Sequence, residues 1–268
     1  VEGFATKFIA ASNNFHSKKL AWVHIDMLKN TYADNYYRNI NRHKAVYECY
    51  DQILCVSQSV KESFQKKFFC SEKISVQYNP IDSCDILSKS KESIDIKLQK
   101  GQIILGTVGR LEEQKGYLRL IKCAKKLHDK GYKFMILIIG DGSQRDILEE
   151  KIQLFDLNDS VKLIGFQINP YKYIARCDAF ICSSYAEGFS TAATESLILG
   201  KPILTVDCAG MKELFGNYKC GEIVANSDES LMHLLENVFN GKIDLNTYRT
   251  DILKRQVDFN IKNRIKEI

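Results

Sequence analysis

Residues 179–195 read AFICSSYAEGFSTAATE, an apolar run followed by a polar loop and the start of a helix. The run Ala179-Phe180-Ile181-Cys182-Ser183-Ser184 has the length and apolar content of a short buried strand, which puts Glu187 in the loop leaving it. Ser190 and Thr191 are residue types that cap helices, and the helix they open continues through Ala192 to Leu199 and stops at Gly200. A loop feeding a helix N-terminus presents unpaired N–H groups and the positive end of the helix dipole, which suit a diphosphate. Glu187 in the loop and Glu195 in the helix would repel that group unless hydroxyl-rich moieties lie between. A sugar on one side and a ribose on the other meet this condition, so the run Glu187-Gly188-Phe189-Ser190-Thr191 with Glu195 points to a bound sugar nucleotide.

A second constellation supports the first. The apolar strand Gln102-Ile103-Ile104-Leu105 runs into Gly106-Thr107-Val108-Gly109-Arg110-Leu111-Glu112-Glu113-Gln114-Lys115-Gly116. Glycines let backbone come close to a ligand. Arg110 and Lys115 add two cations beside them, at the start of a helix expected over 117–130. Strand, glycine turn, cation pair and helix start together make an anion site. Gly106-x-x-Gly109 lacks the third glycine of a dinucleotide fingerprint, and neither a GxxxxGK[ST] phosphate loop nor an Asp-x-Asp pair occurs in the chain. The charge on a departing diphosphate would then be met by Arg110, Lys115 and helix dipoles, with no metal and no tightly bound cofactor expected.

Strand and helix patterns alternate along the chain, which argues for an α/β protein with parallel sheets covered on both faces. In the second half strands are expected near 102–108, 133–139, 161–165, 179–183, 202–206 and 221–224, with a further helix at 228–240. The first half offers three strand candidates, 20–24, 53–56 and 75–78, and helices around 34–50 and 59–69. The polar stretch 88–100, SKSKESIDIKLQK, reads as the linker. The expected division is a partial first domain over 1–98, a nucleotide-sugar-binding domain over 99–247 and a C-terminal helix over 248–268 that packs back on the first domain.

Seven motifs, in order, resemble the retaining glycosyltransferases of family 4. They are AWVHID (21–26), VSQSVKESF (56–64), YNPID (78–82), GTVGRLEEQKG (106–116), IIGDGSQRDIL (138–148), KLIGF (162–166) and SSYAEGFSTAATESLILGKPILTVDCAGMKEL (183–214). The longest resembles most the bacterial enzymes that build capsular or other surface polysaccharides. The resemblance implies a GT-B fold of two facing Rossmann-like domains. It also implies transfer of a sugar from a nucleotide sugar, most often a UDP-sugar, to a saccharide or lipid-linked saccharide with retention of configuration. His24 matches a family histidine that faces the cleft and contacts the donor sugar, while Phe166 and Gln167 match positions near the nucleobase. Catalytic roles are therefore expected for His24, Glu187, Arg110 and Lys115. Donor contacts are expected from Gly109, Arg110, Lys115, Phe166, Gln167, Glu187, Gly188, Phe189, Ser190, Thr191 and Glu195. Asp26 reads first as a turn or cap residue, and Gly140-Asp141-Gly142 as a tight turn. The start, Val1-Glu2-Gly3-Phe4, resembles the middle of the family's first domain, so that domain is expected to be incomplete. A non-catalytic nucleotide-binding fragment, or another GT-B enzyme such as an epimerase or phosphorylase, stays open as an alternative.

Composition fits this picture. With 268 residues, 45% hydrophobic and 26% charged, the chain can bury a sizeable core. The nine cysteines include no CxxC pair and several fall in apparent strands or helices, so free thiols and a reducing cytosol are expected. The net charge of +5 favours anionic partners. In VKESFQKKFF (60–69) lysines alternate with phenylalanines, which reads either as a helix with phenylalanines in the core or as a peripheral contact with the inner membrane face. The basic residues form no stripe interleaved with aromatics, so nucleic acid is not an expected partner.

Overall fold

The structure, a computed structural model, describes residues 4–12, 16–29, 31–68, 72–99 and 101–259. Val1, Glu2, Gly3, Phe69, Cys70, Lys100 and the last nine positions of the expected C-terminal helix lie outside the described residues.

The first part of the chain builds a small parallel sheet. Helix α1 (Phe4–Ala10) precedes strand β1 (Leu20–Val23), a 3-10 turn (Tyr32–Tyr36) and helix α2 (Ile40–Glu48). Strand β2 (Gln52–Cys55), helix α3 (Gln58–Phe68), strand β3 (Ile74–Val76) and helix α4 (Ser83–Lys89) follow. The sheet order is β1-β2-β3, all parallel, with Val23 beside Cys55 and Cys55 beside Val76. The single helix expected over 34–50 is divided, because Asn39 has an extended backbone and its side chain accepts the Arg42 N–H, which starts α2 afresh.

Helix α3 settles the reading of VKESFQKKFF. Val60, Phe64 and Phe68 are at most 1% exposed, and Lys67 is held by the Asp34 carboxylate at 2.7 Å and the Met27 carbonyl at 2.8 Å. The apolar face of this helix is core, which is the first of the two readings of VKESFQKKFF, with Phe69 outside the described residues. The expected linker is also less free than its polarity implied. Its first residues close α4, and Ile94, Ile96 and Leu98 pack against the core.

The second part forms a larger parallel sheet. Strand β4 (Ile103–Val108) leads through a 3-10 turn (Glu113–Lys115) to α5 (Tyr117–Asp129), then β5 (Phe134–Ile139), α6 (Arg145–Leu154), β6 (Val161–Gly165) and the single turn α7 (Tyr171–Ile174). Strand β7 (Ala179–Cys182), α8 (Thr191–Ile198), β8 (Ile203–Val206), α9 (Met211–Phe215), β9 (Gly221–Val224), α10 (Asp228–Phe239), a 3-10 turn (Leu245–Tyr248) and α11 (Arg249–Val257) complete it. Every residue of β5 is buried, as expected for a strand covered on both faces. The order is β6-β5-β4-β7-β8-β9. The chain therefore builds outward from β4 in one direction and resumes on its other side at β7, with Leu105 beside Ala179. Helix α11 docks on the second part: Gln256 donates to the carbonyls of Leu197 and Ile198, and Arg255 to those of Leu214 and Glu213. The eight described cysteines are free thiols, and only Cys49 and Cys84 among them are exposed.

His43 shows what burial does to a titratable group in the first part. The ring is 1% exposed, stacks on Tyr37 at 3.8 Å, lies 3.0 Å from Asp34 through Nδ1, and has no partner for Nε2 among the described residues. Burial pushes its pKa below the ordinary 6.5, outweighing the pull of the Asp34 carboxylate. The folded state thus resists a proton that the unfolded chain accepts. Stability from this group is fully present above 6.5 and is lost as pH falls through 6.5 toward the lowered folded value. Thermal melts from neutral to mildly acid pH should show a falling midpoint, with a shallower slope in His43→Gln. Equal slopes in the two proteins would contradict this assignment.

Candidate active site

The two motifs singled out in the sequence leave neighbouring strands at the same end of the sheet. One follows β4 and the other follows β7, the two strands between which the order reverses. In open parallel sheets the crevice outside the carboxyl ends of such a strand pair is the usual ligand site.

Between these loops the structure makes a direct bond. Lys115 Nζ lies 2.8 Å from Glu187 Oε1, and the same oxygen accepts the Ser184 hydroxyl at 2.5 Å. Glu187 is 7% exposed, so these partners replace the water its carboxylate has lost. The Lys115 side chain keeps about a quarter of its surface in solvent. Two residues 72 apart in sequence are thus one electrostatic unit. Gly116 supports the junction: it has φ of 65° and caps α5, and a Cβ there would stand 2.1 Å from the Ser183 carbonyl oxygen.

The loop after β7 is pressed against the first part of the chain. A Cβ on Gly188 would stand 2.0 Å from the His24 carbonyl oxygen, and the Gly188 carbonyl accepts the Ser57 hydroxyl at 3.0 Å. His24 follows β1 and is brought beside this loop through its backbone, while its imidazole stacks on Trp22 at 5.9 Å. Local burial holds the His24 pKa below 6.5. The Phe189 ring is buried 5.2 Å from that of Tyr78. Ser190 caps α8 by accepting the Ala193 N–H at 3.3 Å. The N–H groups of Thr191 and Ala192 have no partner among the described residues. Asp26 is a turn residue, accepting the N–H groups of Leu28 and Lys29.

The remaining candidates are less closely joined. Arg110 is exposed and makes no ion pair among the described residues. Gly109 follows β4 and donates to the Ile139 carbonyl at 3.0 Å, and a Cβ on it would meet the Tyr117 hydroxyl at 2.8 Å. That glycine is explained by packing within the fold. Glu195, half-buried in α8, accepts the Tyr171 hydroxyl at 3.1 Å, and burial pushes its carboxyl above the ordinary 4.5. Gln167 is held by its own loop, through the Ile164 carbonyl and the Tyr173 hydroxyl, each at 3.4 Å. Phe166 is 72% exposed.

Sequence reasoning missed the residue that holds the β7 loop in place. Arg119 of α5 is 2% exposed and donates to the carbonyls of Ser183 and Ser184 at 2.7 and 2.9 Å and to the Asn226 side chain at 2.8 Å. Its guanidinium also lies 4.1 Å from the centre of the Tyr185 ring. Five fixed donors suit this task in a way a lysine would not. The only signal in the sequence was an arginine among the apolar positions of α5. A cavity of about 920 Å³ lies elsewhere, lined by Gln102, Asp178, Lys201 and Arg249 among others, and contains none of the candidate residues.

Residues 88–253 match the family described as glycosyl transferases group 1. The chain is similar to the N-acetylgalactosamine-N,N'-diacetylbacillosaminyl-diphospho-undecaprenol 4-alpha-N-acetylgalactosaminyltransferase of Campylobacter jejuni, with 35% identity over 68% of this chain and 48% of that protein. It is 28% identical to the capsular polysaccharide biosynthesis glycosyltransferase CapM of Staphylococcus aureus over 54% of this chain and 38% of that one. The chain thus spans about half the length, or less, of these relatives. Among solved structures, the Anabaena protein HepE in complex with UDP superposes with a TM-score of 0.73 at 17% identity, over 92% of this chain and 70% of that chain. That likeness shows the fold, which is the α/β GT-B arrangement of Rossmann-like parallel sheets. By the extent of its match, which covers the whole larger sheet, the chain belongs to the glycosyl transferases group 1 family.

Proposed function

We propose that this chain serves transfer of a glycosyl group from a nucleotide sugar, with UDP-sugars as the donor class, to a saccharide or lipid-linked saccharide in the building of a surface polysaccharide, with retention of configuration. The observation that carries the reading is the Lys115–Glu187 pair, which joins the loops after β4 and β7 where the strand order reverses. A diphosphate there would meet the open N–H groups at the start of α8 and the exposed Arg110. The Glu187 carboxylate, fixed by Lys115 and Ser184, would address sugar hydroxyls, and the half-buried Glu195 would address the ribose. The names of the relatives support the choice of partners: the Campylobacter enzyme bears a diphospho-undecaprenol saccharide in its name, and HepE was solved with UDP.

The same parts give a mechanism. Positive charge that develops at the anomeric carbon is stabilised by the departing diphosphate, and dipoles fixed beforehand lower the cost of that charge separation. His24 stands across from the Gly188 loop, where burial favours its neutral form, and would orient the sugar by hydrogen bonding. Arg110 and Lys115 would take the charge of the leaving group in place of a divalent metal, for which the sequence offers no Asp-x-Asp pair. The inner membrane face remains the proposed place of action, because a lipid-linked acceptor would be presented there.

Binding tests these assignments. Uridine diphosphate should bind in the presence of EDTA, and Arg110→Ala should weaken it by about 1.5–3 kcal/mol, or one to two decades in affinity. Equal affinities by calorimetric titration would remove Arg110 from the site.

The two glutamates should separate. Glu195→Gln should weaken uridine diphosphate and UDP-sugars alike, whereas Glu187→Gln should weaken UDP-sugars and turnover while sparing uridine diphosphate. Because burial raises the Glu195 carboxyl pKa, its ionised form is depleted as pH falls, so affinity for uridine diphosphate should drop from neutral toward mildly acid pH in the unaltered chain. That slope should flatten in Glu195→Gln. Matching binding profiles in the two variants would contradict the division of roles.

A further inference from the structure

Helix α3 is capped from the far side of the cleft. The Ser57 hydroxyl accepts the Val60 N–H at 3.1 Å, but the preceding N–H groups are met by a carboxylate from the second part of the chain. Glu213 of α9 accepts from Gln58 N–H at 2.7 Å, Ser59 N–H at 2.8 Å, the Ser59 hydroxyl at 2.9 Å and the Tyr78 hydroxyl at 3.1 Å. All four donors belong to the first part of the chain, 135 to 155 residues away. A carboxylate suits the place, because the helix N-terminus is its positive end and charge-assisted bonds are about twice as strong as neutral ones.

The neighbours of this contact tie it to the candidate site. The Ser59 hydroxyl accepts the Gly210 N–H at 2.9 Å, and the Ser57 hydroxyl donates to the Gly188 carbonyl at 3.0 Å. Residues 57–59 therefore grip both α9 and the loop that carries Glu187. Arg255 holds α9 from behind, donating to the carbonyls of Leu214 at 2.8 Å and Glu213 at 2.7 Å. Lys212, one position before Glu213, pairs instead with Asp207. The close approach of Gly188 to the His24 carbonyl exists only while the two sheets keep this relative orientation.

We propose that Glu213 is a positioning residue: it clips the N-terminus of α3 to the second part of the chain and so fixes the Gly188 loop against His24 in the geometry that transfer requires. The catalytic consequence rests on the glycosyl-transfer reading above, whereas the clip itself does not. Binding of the nucleotide, which involves the second part, should be spared by loss of the clip. Turnover, which needs His24 held beside the donor, should not.

Hydrogen exchange read by mass spectrometry tests the clip without any ligand. In Glu213→Gln, amides over 58–60 should exchange about tenfold faster or more, and segments 22–26 and 187–190 should lose protection with them, while strand β5 keeps its protection. Lys212→Gln should change none of these. In parallel, Glu213→Gln should leave uridine diphosphate affinity within about twofold and lower kcat for UDP release from UDP-sugars by about tenfold or more, equivalent to 1.36 kcal/mol per decade. Faster exchange confined to 58–60 would reduce Glu213 to a local helix cap and overturn the proposal, as would an unchanged kcat in a variant that has lost protection on both sides. If β5 also loses protection in Glu213→Gln, the double variant Ser59→Ala, Tyr78→Phe removes donors instead, and the same two-sided pattern is required of it. Failure of the unaltered chain to bind uridine diphosphate would count against the donor reading alone, and the exchange pattern would still decide the clip.

Discussion

A carboxylate that is 7% exposed needs hydrogen-bonding partners from the fold, and Glu187 imposes that condition on two separate stretches of this chain. Lys115 satisfies it from the loop after β4, and Ser184 from the end of β7. For Lys115 to reach, β4 and β7 must be neighbours, which is the point where the strand order reverses. The arrangement also needs Gly116, because a side chain there would collide with the Ser183 carbonyl, and Arg119, which fixes that carbonyl and the next. One ion pair therefore depends on a strand order, a left-handed glycine and a buried arginine, and each is in place.

The same pair shapes the electrostatics of the site. Lys115 is already shared with Glu187, so it contributes less free positive charge than a lone lysine would. Arg110 is the exposed cation of the two, and the N-terminus of α8, with Ser190 as its cap, supplies the rest of the positive potential. Glu195 lies on the same helix with its carboxyl pushed up by burial and tied to Tyr171, a suitable acceptor for a hydroxyl once ionised. The site as a whole alternates fixed charge of both signs, which fits a ligand with an anionic middle and hydroxyl-bearing ends better than a simple anion.

Much of this was legible in the sequence, because the signals are local. The strands before Gly109 and Glu187, the Ser190 cap and the stop at Gly200 are set by neighbouring residues, and the structure places β4, β7 and α8 where the patterns put them. The division of the 34–50 segment was missed because Asn39 looks like any polar helix residue until its backbone is seen to be extended. The packing of the linker residues Ile94, Ile96 and Leu98 against the core has no clear sequence signal, because charged neighbours dilute them. Contacts across long separations left no trace at all: Arg119 acts on carbonyls 64 and 65 residues away, and Glu213 on amides more than 150 away. Motif spacing marks the loops of the candidate site, and the residues that hold those loops in place come only from the packed structure.

The central claim is that a nucleoside diphosphate binds between the loops after β4 and β7. A crystal structure of the chain with uridine diphosphate tests it most directly. The account predicts density for the diphosphate beside Arg110 and the N–H groups at the start of α8, with the ribose toward Glu195 and the Lys115–Glu187 pair intact. Density instead in the cavity lined by Gln102, Lys201 and Arg249, with the β4 and β7 loops unoccupied, would contradict it.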